Sequence, residues 1–426
     1  MITAAAVVLT GGRSTRFGSH KPAAVLAGRT LVGHVLHAVA TWPVVVVGSG
    51  DGVPSGIEVV SEQPAGGGPV AAVAEGVRQL PATDVIVLLA GDLPRITHEH
   101  LTRLVTAADE TGLACFVDGD GQPQWLCAAW RTDLLAERLA TLGDPAGQSL
   151  RRLANDLPRT NLVDPTGATA QDVDTPHDLL ALHDEQVAAV RDGYRPPALS
   201  EPTFIEDGAP VRYGERCPGM PPEDWYSRDS HPERFAPLRE VADAVVAHLA
   251  AHFAVTVTEG VELATVLSAP PDLTEMHRAV RVTPADDRCA AVTFVMTIHP
   301  LIWLHAGALY AQPIPTCTCD ACDESLLGMV DQLTGRVFDI VAGGFAEHVI
   351  ADRQHGGPGR SAVEVGNTFP QHSGAALLTE LSDLAAERAA RLIPDGHRVW
   401  HPWPRRRAAP RSFAAPARDE REPFDR

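Results

Sequence analysis

Lysine is nearly absent from this chain. Of 35 basic residues in 426, all but Lys21 are arginine. A chain that uses arginine wherever either cation serves, yet keeps one lysine, marks a position that needs a compact ammonium rather than a planar fork. Cysteine is scarce too. Seven residues, an odd number, exclude a disulfide scaffold and point to reduced thiols in the cytoplasm. Long apolar runs are missing: no stretch reaches the roughly 18 residues of a membrane span. The segment Met1 to Gly12 has neither the basic start nor the apolar length of a secretory signal, so a soluble cytoplasmic protein is expected. Basic charge is in deficit, with 54 acidic residues and a net charge of -19. That balance argues against nucleic acid or anionic membrane as partners and requires a local positive pocket for any anionic substrate.

What is present is enough apolar side chain, 45%, for packed interiors, over a length that exceeds one usual core. Residues 1–186 alternate apolar strand runs with helical periodicity. Ala4–Leu9, Val44–Val47, Ile57–Val60 and Val85–Ala90 read as strands; Thr30–Trp42, Pro69–Gln79 and His98–Thr111 read as helices. Such alternation predicts parallel βα units in a three-layer α/β/α sandwich with a mostly parallel, Rossmann-like sheet. Residues 187–222 are rich in proline and glycine and read as a linker. A separate α+β domain is expected over 223–394, with helices at Phe235–Phe253 and Glu324–Phe345 and β-rich stretches at 255–267 and 278–310. Residues 395–426 read as a disordered tail.

The chemistry concentrates where strands end. After the first strand comes Leu9-Thr-Gly-Gly-Arg-Ser-Thr-Arg-Phe-Gly-Ser-His-Lys21. Gly11 and Gly12 allow close backbone approach and a nest of amides for phosphate oxygens. Arg13, Arg16 and Lys21 add three cations with no carboxylate among them, the arrangement a triphosphate needs. The competing reading is an ordinary strand-to-helix turn with exposed arginines. Its glycine spacing is neither the dinucleotide-binding fingerprint nor a Walker loop. Asp92, just past the most apolar strand, suits a hard cation such as Mg²⁺; alternatively it caps the next segment. Asp172 and Asp174 lie on one side of an extended stretch before Pro176, and Asp174 or Thr175 could equally be a helix N-cap.

The pattern L-x-G-G-x-S-x-R-x-G-x-x-K-P resembles the signature of the MobA-like nucleotidyltransferases, more closely the guanylyl branch than the cytidylyl branch, and the likeness extends over about 185 residues. The resemblance implies the nucleotide-diphospho-sugar transferase type of sheet and nucleotide contacts from Leu9, Gly11 and Gly12. It puts Arg16 and Lys21 on the triphosphate and makes Asp92 the metal ligand, with Asp174 near the metal or the pterin. Gly66-Gly67-Gly68-Pro69 is similar to the family's base-facing segment, with Gly68 beside the base. Aligning these glycines places Gln63, beside Glu62, where the family usually has aspartate. If that position must accept from guanine, Glu62 has to substitute. Gly48-Ser49-Gly50 replaces an asparagine usual in the family, and Gln124-Trp125-Leu126 looks like its pterin side. Trp125 and Trp130 read equally as core or dimer-surface aromatics.

The implied reaction is transfer of GMP from GTP to molybdopterin with release of pyrophosphate. GTP, molybdopterin and molybdopterin-handling or molybdoenzyme proteins are the implied partners. Cytidylyl or sugar-phosphate transfer on the same fold, or nucleotide binding without catalysis, are the other readings. The second half resembles a domain family of unknown function. Its metal-like motif is Cys317-x-Cys319-x-x-Cys322, three thiols at zinc spacing. Cys217, Cys289, His299 or His305 are candidates for a fourth ligand of Zn²⁺, and buried thiols without a metal are the favoured alternative.

Overall fold

Six consecutive buried residues, Ala4–Leu9, form strand β1 at the heart of a seven-stranded sheet. The computed structural model describes residues 2–11, 17, 20–164, 166–216, 219–267, 275–352, 362–370, 372–378 and 383–406. In the N-terminal domain β1 is followed by α1 (Leu31–Ala38), β2 (Val44–Val47), β3 (Glu58–Val60), α2 (Pro69–Gln79) and β4 (Val85–Ala90). Then come α3 (His98–Thr111), β5 (Leu113–Val117), β6 (Pro123–Arg131), α4 (Thr132–Leu142), β7 (Thr160–Leu162) and α5 (Pro176–Arg191). The strand order is β3-β2-β1-β4-β6-β5-β7. All the neighbouring pairs are parallel except those made by β6, which runs against both β4 and β5.

Alternation along the strands builds a core on each face. Ala4, Ala6 and Val8 join Val32, Val35, Leu101 and Leu104 of α1 and α3. Val7 and Leu9 face the other way, onto Val70 and Val73 of α2 and Leu135 of α4. This is the three-layer arrangement the alternating sequence predicts.

The C-terminal domain is built on antiparallel sheets. Helix α6 (Leu238–His252) precedes a five-stranded meander of β8 (Val255–Glu259), β9 (Met276–Pro284), β10 (Val292–Thr297), β11 (Ile302–Ala306) and β12 (Tyr310–Ile314). Helix α7 (Leu326–Val341) packs with α6 over this sheet's apolar face. A four-stranded sheet follows, from β13 (Ala346–Asp352), β14 (Ala362–Phe369), β15 (His372–Leu378) and β16 (His397–Val399), with α8 (Asp383–Leu392) before its last strand.

Three boundaries differ from the sequence reading. Helix α5 runs through position 187 to Arg191, because Val187 and Val190 pack into the second domain's core. The chain therefore passes from one domain to the other as helix, and the proline-rich stretch begins only after it. Within that stretch Phe204–Glu206 and Ala209–Val211 pair as a short hairpin. The expected tail from 395 is packed as far as it is described: β16 pairs with β13, and Trp400 and Trp403 are buried. Only 407–426 of it, with Arg407, lie outside the described residues.

Candidate active site

The cleft beyond the carboxyl edge of β1 and β4 is the place where open α/β sheets bind ligands. Gly91 donates its N–H to the Leu9 carbonyl at 2.9 Å, so β4 stays paired with β1 to its last residue and Asp92 emerges directly above the edge. A side chain at Gly91 would press on Thr10 at 2.9 Å. On the neighbouring strand, a Cβ at Gly48 would meet the Gly11 nitrogen at 2.5 Å, and its φ is +126°. Gly48 thus seats the start of the glycine-rich loop, while Thr10 Oγ1 donates to the Ser49 carbonyl at 2.7 Å. Sequence reasoning noted Gly48 only as a missing asparagine. A glycine ending the strand beside β1 was the available signal of its role.

Lys21 opens a short 3-10 turn, Lys21–Ala23, anchored by buried Pro22. Its Nζ lies 2.6 Å from Asp92 Oδ2 and 2.9 Å from Asp174 Oδ1. Lys21 and Asp92 side chains are 13% and 15% exposed, whereas Asp174 is 54% exposed. The third arm arrives because Val173 N–H donates to the Asp92 carbonyl at 3.3 Å, which draws Asp172 to Asp174 across the top of the sheet. Thr175, not Asp174, is the helix cap: its hydroxyl accepts from Asp178 N–H, and the Asp178 carboxylate accepts from the Thr175 amide. Asp174 is thereby left to reach Lys21.

Burial alone would lower the Lys21 pKa, but the hydrogen bonds and charges of Asp92 and Asp174 outweigh it and hold the ammonium above its ordinary value. Asp172 is pushed up, first by partial burial in the cleft wall, then by the charges of Asp174 and Asp92. Among the described lining residues four carboxylates, Glu62, Asp92, Asp172 and Asp174, face the single ammonium of Lys21. Asp92 Oδ1 is buried with no hydrogen-bond partner among the described residues. The Lys21 ammonium offsets the carboxylate's charge through Oδ2, while Oδ1 is left open to a further cation. A hard divalent ion that takes one or two carboxylates fits this donor set.

The cleft holds about 1230 Å³ and is lined by Leu9, Gly11, Lys21, Gly68 and Asp92, among the expected residues. Gly12, Arg13 and Arg16 lie outside the described residues. Glu62 lines the cleft and Gln63 does not. The Glu62 carboxylate accepts from Gly66 N–H at 3.1 Å, which fixes it beside the loop that opens α2. Gly66 and Gly68 have φ of +74° and +88°, the left-handed region that glycine tolerates, and α2 begins with Pro69 at its first turn. Opposite this loop, Gln124, Trp125 and Leu126 of β6 form a second wall. The Arg159 guanidinium stands 5.4 Å over the Trp125 ring. Trp130, by contrast, is a core residue, 2% exposed.

In the C-terminal domain the sulfurs of Cys317, Cys319 and Cys322 cluster within 4.8 Å of one another. None of the other candidate ligands among the described residues joins them. Cys289 is buried and donates to the Pro402 carbonyl, His299 faces Asp229, and His305 stacks near Trp303. Cys217 lies outside the described residues.

Comparison with known proteins gives this geometry its context. Residues 6–160 match the family model described as the MobA-like NTP transferase domain, and residues 200–407 match a family of unknown function. A probable molybdenum cofactor guanylyltransferase from Mycobacterium marinum is 32% identical over 188 residues, which is 42% of this chain and 93% of that protein. A protein of the same description from Bacillus cereus is 29% identical over 35% of this chain and 78% of its own length. Among solved structures, a nucleotidyl transferase from Methanothermobacter is similar at 23% identity with a TM-score of 0.37, over 43% of this chain and 97% of that one. No described helix is long and apolar enough to cross a membrane.

Proposed function

This chain belongs, through its N-terminal domain, to the MobA-like NTP transferase family, and on that premise we propose that it transfers GMP from GTP to molybdopterin in molybdenum cofactor biosynthesis. One observation carries the reading: Lys21, the lone lysine, is clasped by Asp92 and Asp174 in the cleft while Asp92 Oδ1 has no partner among the described residues. Guanylyl specificity rests on the likeness to the mycobacterial and bacillar relatives and on the Glu62 carboxylate beside Gly66, an acceptor suited to the guanine N1 and N2 hydrogens.

The terminal phosphate of molybdopterin attacks the α-phosphorus of GTP. A new P–O bond forms there, and the bond to the β-phosphate breaks with release of pyrophosphate. The nucleophile is already an anion, so no strong general base is needed; orientation and charge stabilisation supply the rate. Lys21, exchanging its carboxylate partners for phosphate oxygens, offsets charge that builds on the leaving pyrophosphate. Arg16 would assist from the loop. Mg²⁺ held by Asp92 and Asp174 would neutralise triphosphate oxygens in a cleft whose described residues are otherwise net negative. Leu9, Gly11, Gly12 and Gly68 bring backbone against the nucleotide, and the Trp125 wall faces the pterin. The partners of this reading are GTP, molybdopterin and the proteins that deliver or accept the finished cofactor, and its place is the cytoplasm.

The test is pyrophosphate release from GTP, CTP and ATP, with and without molybdopterin, by the full-length protein with Mg²⁺. The expected result is release that needs both GTP and molybdopterin. Preference for CTP would move the assignment to cytidylyl transfer. Tight GTP binding with no pyrophosphate under any condition would leave a binding protein and defeat the catalytic reading.

A further inference from the structure

The three cysteines of the second domain lie on the connection between β12 and α7. The Cys317 and Cys319 sulfurs approach to 3.1 Å, and all three lie within 4.8 Å of one another. A tetrahedral ion with Zn–S bonds of about 2.3 Å holds its sulfurs about 3.8 Å apart, which falls inside that range. The backbone is turned for thiolates. Cys319 N–H donates to the Cys317 sulfur at 3.5 Å. An amide aimed at sulfur stabilises negative charge there.

The loop is pinned from behind rather than through the sulfurs. Asp320, fully buried between the cysteines, accepts from Ser230 and pairs with Arg228 at 3.1 Å and Arg216 at 3.4 Å. Its own N–H and that of Ala321 donate to the carbonyls of Arg228 and Trp225. These contacts hold the backbone on both sides of Asp320, and with it Cys319 and Cys322, in place. The sulfur cluster itself takes no part in this anchoring. Cys322 is exposed and Cys317 and Cys319 are partly so; an inert core thiol would be buried, as Cys115, Cys127 and Cys289 are.

We propose that Cys317, Cys319 and Cys322 form a surface knuckle that binds one zinc ion through three thiolates. Among the described residues no fourth ligand joins them. The site is separate from the nucleotide cleft, and its ion is soft-ligated where that of the cleft is oxygen-ligated.

The test uses the full-length protein. Zinc content is measured after purification without chelator, and Co²⁺ is titrated into protein stripped of metal at low pH and returned to neutral. The expected result is about one zinc per chain, and with cobalt the sulfur-to-metal charge-transfer absorption of a thiolate site. Cys322→Ser, at the exposed position least able to disturb folding, should lose most of the zinc and weaken cobalt binding at least tenfold. Asp92→Asn should keep both signals, which separates this site from the cleft. Wild-type protein with no zinc and no charge-transfer band on cobalt addition would overturn the proposal. So would a Cys317–Cys319 or Cys319–Cys322 disulfide found by mass spectrometry in protein kept under cytoplasm-like reducing potential.

Discussion

Lys21 is held as a compact charge between two carboxylates, which an arginine fork cannot imitate in the same space. Lys21→Ala and Asp92→Asn should each lower turnover by about 10²–10³-fold, the scale of losing one group that stabilises transition-state charge. Lys21→Arg should recover little of it. Steady-state pyrophosphate release measures all three, and circular dichroism should show the domain still folded. Near-normal turnover in either of the first two would remove those residues from the chemistry. These residues were legible because each sits at a strand end with a distinctive neighbourhood: a glycine-rich loop for Lys21 and an apolar strand for Asp92. The choice between Glu62 and Gln63 was not legible. On an extended stretch adjacent side chains point opposite ways, so an uncertainty of one residue in alignment exchanges the cleft for solvent.

His305 gives a prediction of another kind. It is 3% exposed, neither ring nitrogen has a hydrogen-bond partner among the described residues, and burial, with a smaller contribution from Arg388, pushes its pKa down to about 4. The unfolded chain binds this proton near pH 6.5 and the folded chain does not until about pH 4. Between those values the unfolded state carries more protons, so stability falls as the pH falls, by up to about 3 kcal/mol over the window. His305→Phe should flatten this acid limb in denaturant titrations at pH 7, 5.5 and 4.5. An unchanged slope would show that the ring is not held neutral.

Among the elements, α5 links site and scaffold. Its start was readable from Thr175-Pro176, and the structure supplies the full capping box, in which Asp178 is held below the usual carboxylate range by hydrogen bonds from Thr175 and the Asp174 amide. Thr175→Ala should cost about 1 kcal/mol and, by loosening the Asp172–Asp174 segment, raise the KM for GTP. Thermal unfolding together with nucleotide titration checks both effects; a stability loss with unchanged KM would detach the cap from the site. The end of α5 was hidden because what extends it, Val187 and Val190 against the second core, is a contact distant in sequence. The same holds for β6. It runs antiparallel between β4 and β5, a pairing choice that no local pattern records. In the second domain the stretch from 255 is strand only to Glu259; a 3-10 turn, Val261–Val266, follows Gly260.

Across the whole molecule the second domain grips both elements that carry the site. The turn at Gly28, seven residues after Lys21, lies against the segment just after the last described strand: a Cβ at Gly28 would meet the His401 Cα at 2.7 Å and the Trp400 carbonyl at 2.8 Å, at a φ of +74°. Further along, His183 of α5 pairs with Asp339 at 3.0 Å and Arg191 reaches Thr334 at 3.1 Å. Gly28→Val should therefore destabilise the protein by several kcal/mol through strain and overpacking. It should also impair nucleotide binding, although position 28 touches no ligand. Differential scanning calorimetry with GTP titration would show it, and a wild-type profile would mean the domains are energetically independent here. The sequence pointed to two domains but not to their contact, since that contact joins residues distant in sequence, among them Val187 and Val190, His183 with Asp339, and Gly28 against the backbone at 400–401.

The most direct measurement is a crystal structure of the full-length protein with Mg²⁺ and a non-hydrolysable GTP analogue. The account predicts the ion on the Asp92 carboxylate and the Lys21 ammonium within hydrogen-bonding distance of phosphate oxygens. An analogue bound elsewhere, or with water layers separating both side chains from its phosphates and ion, would contradict it.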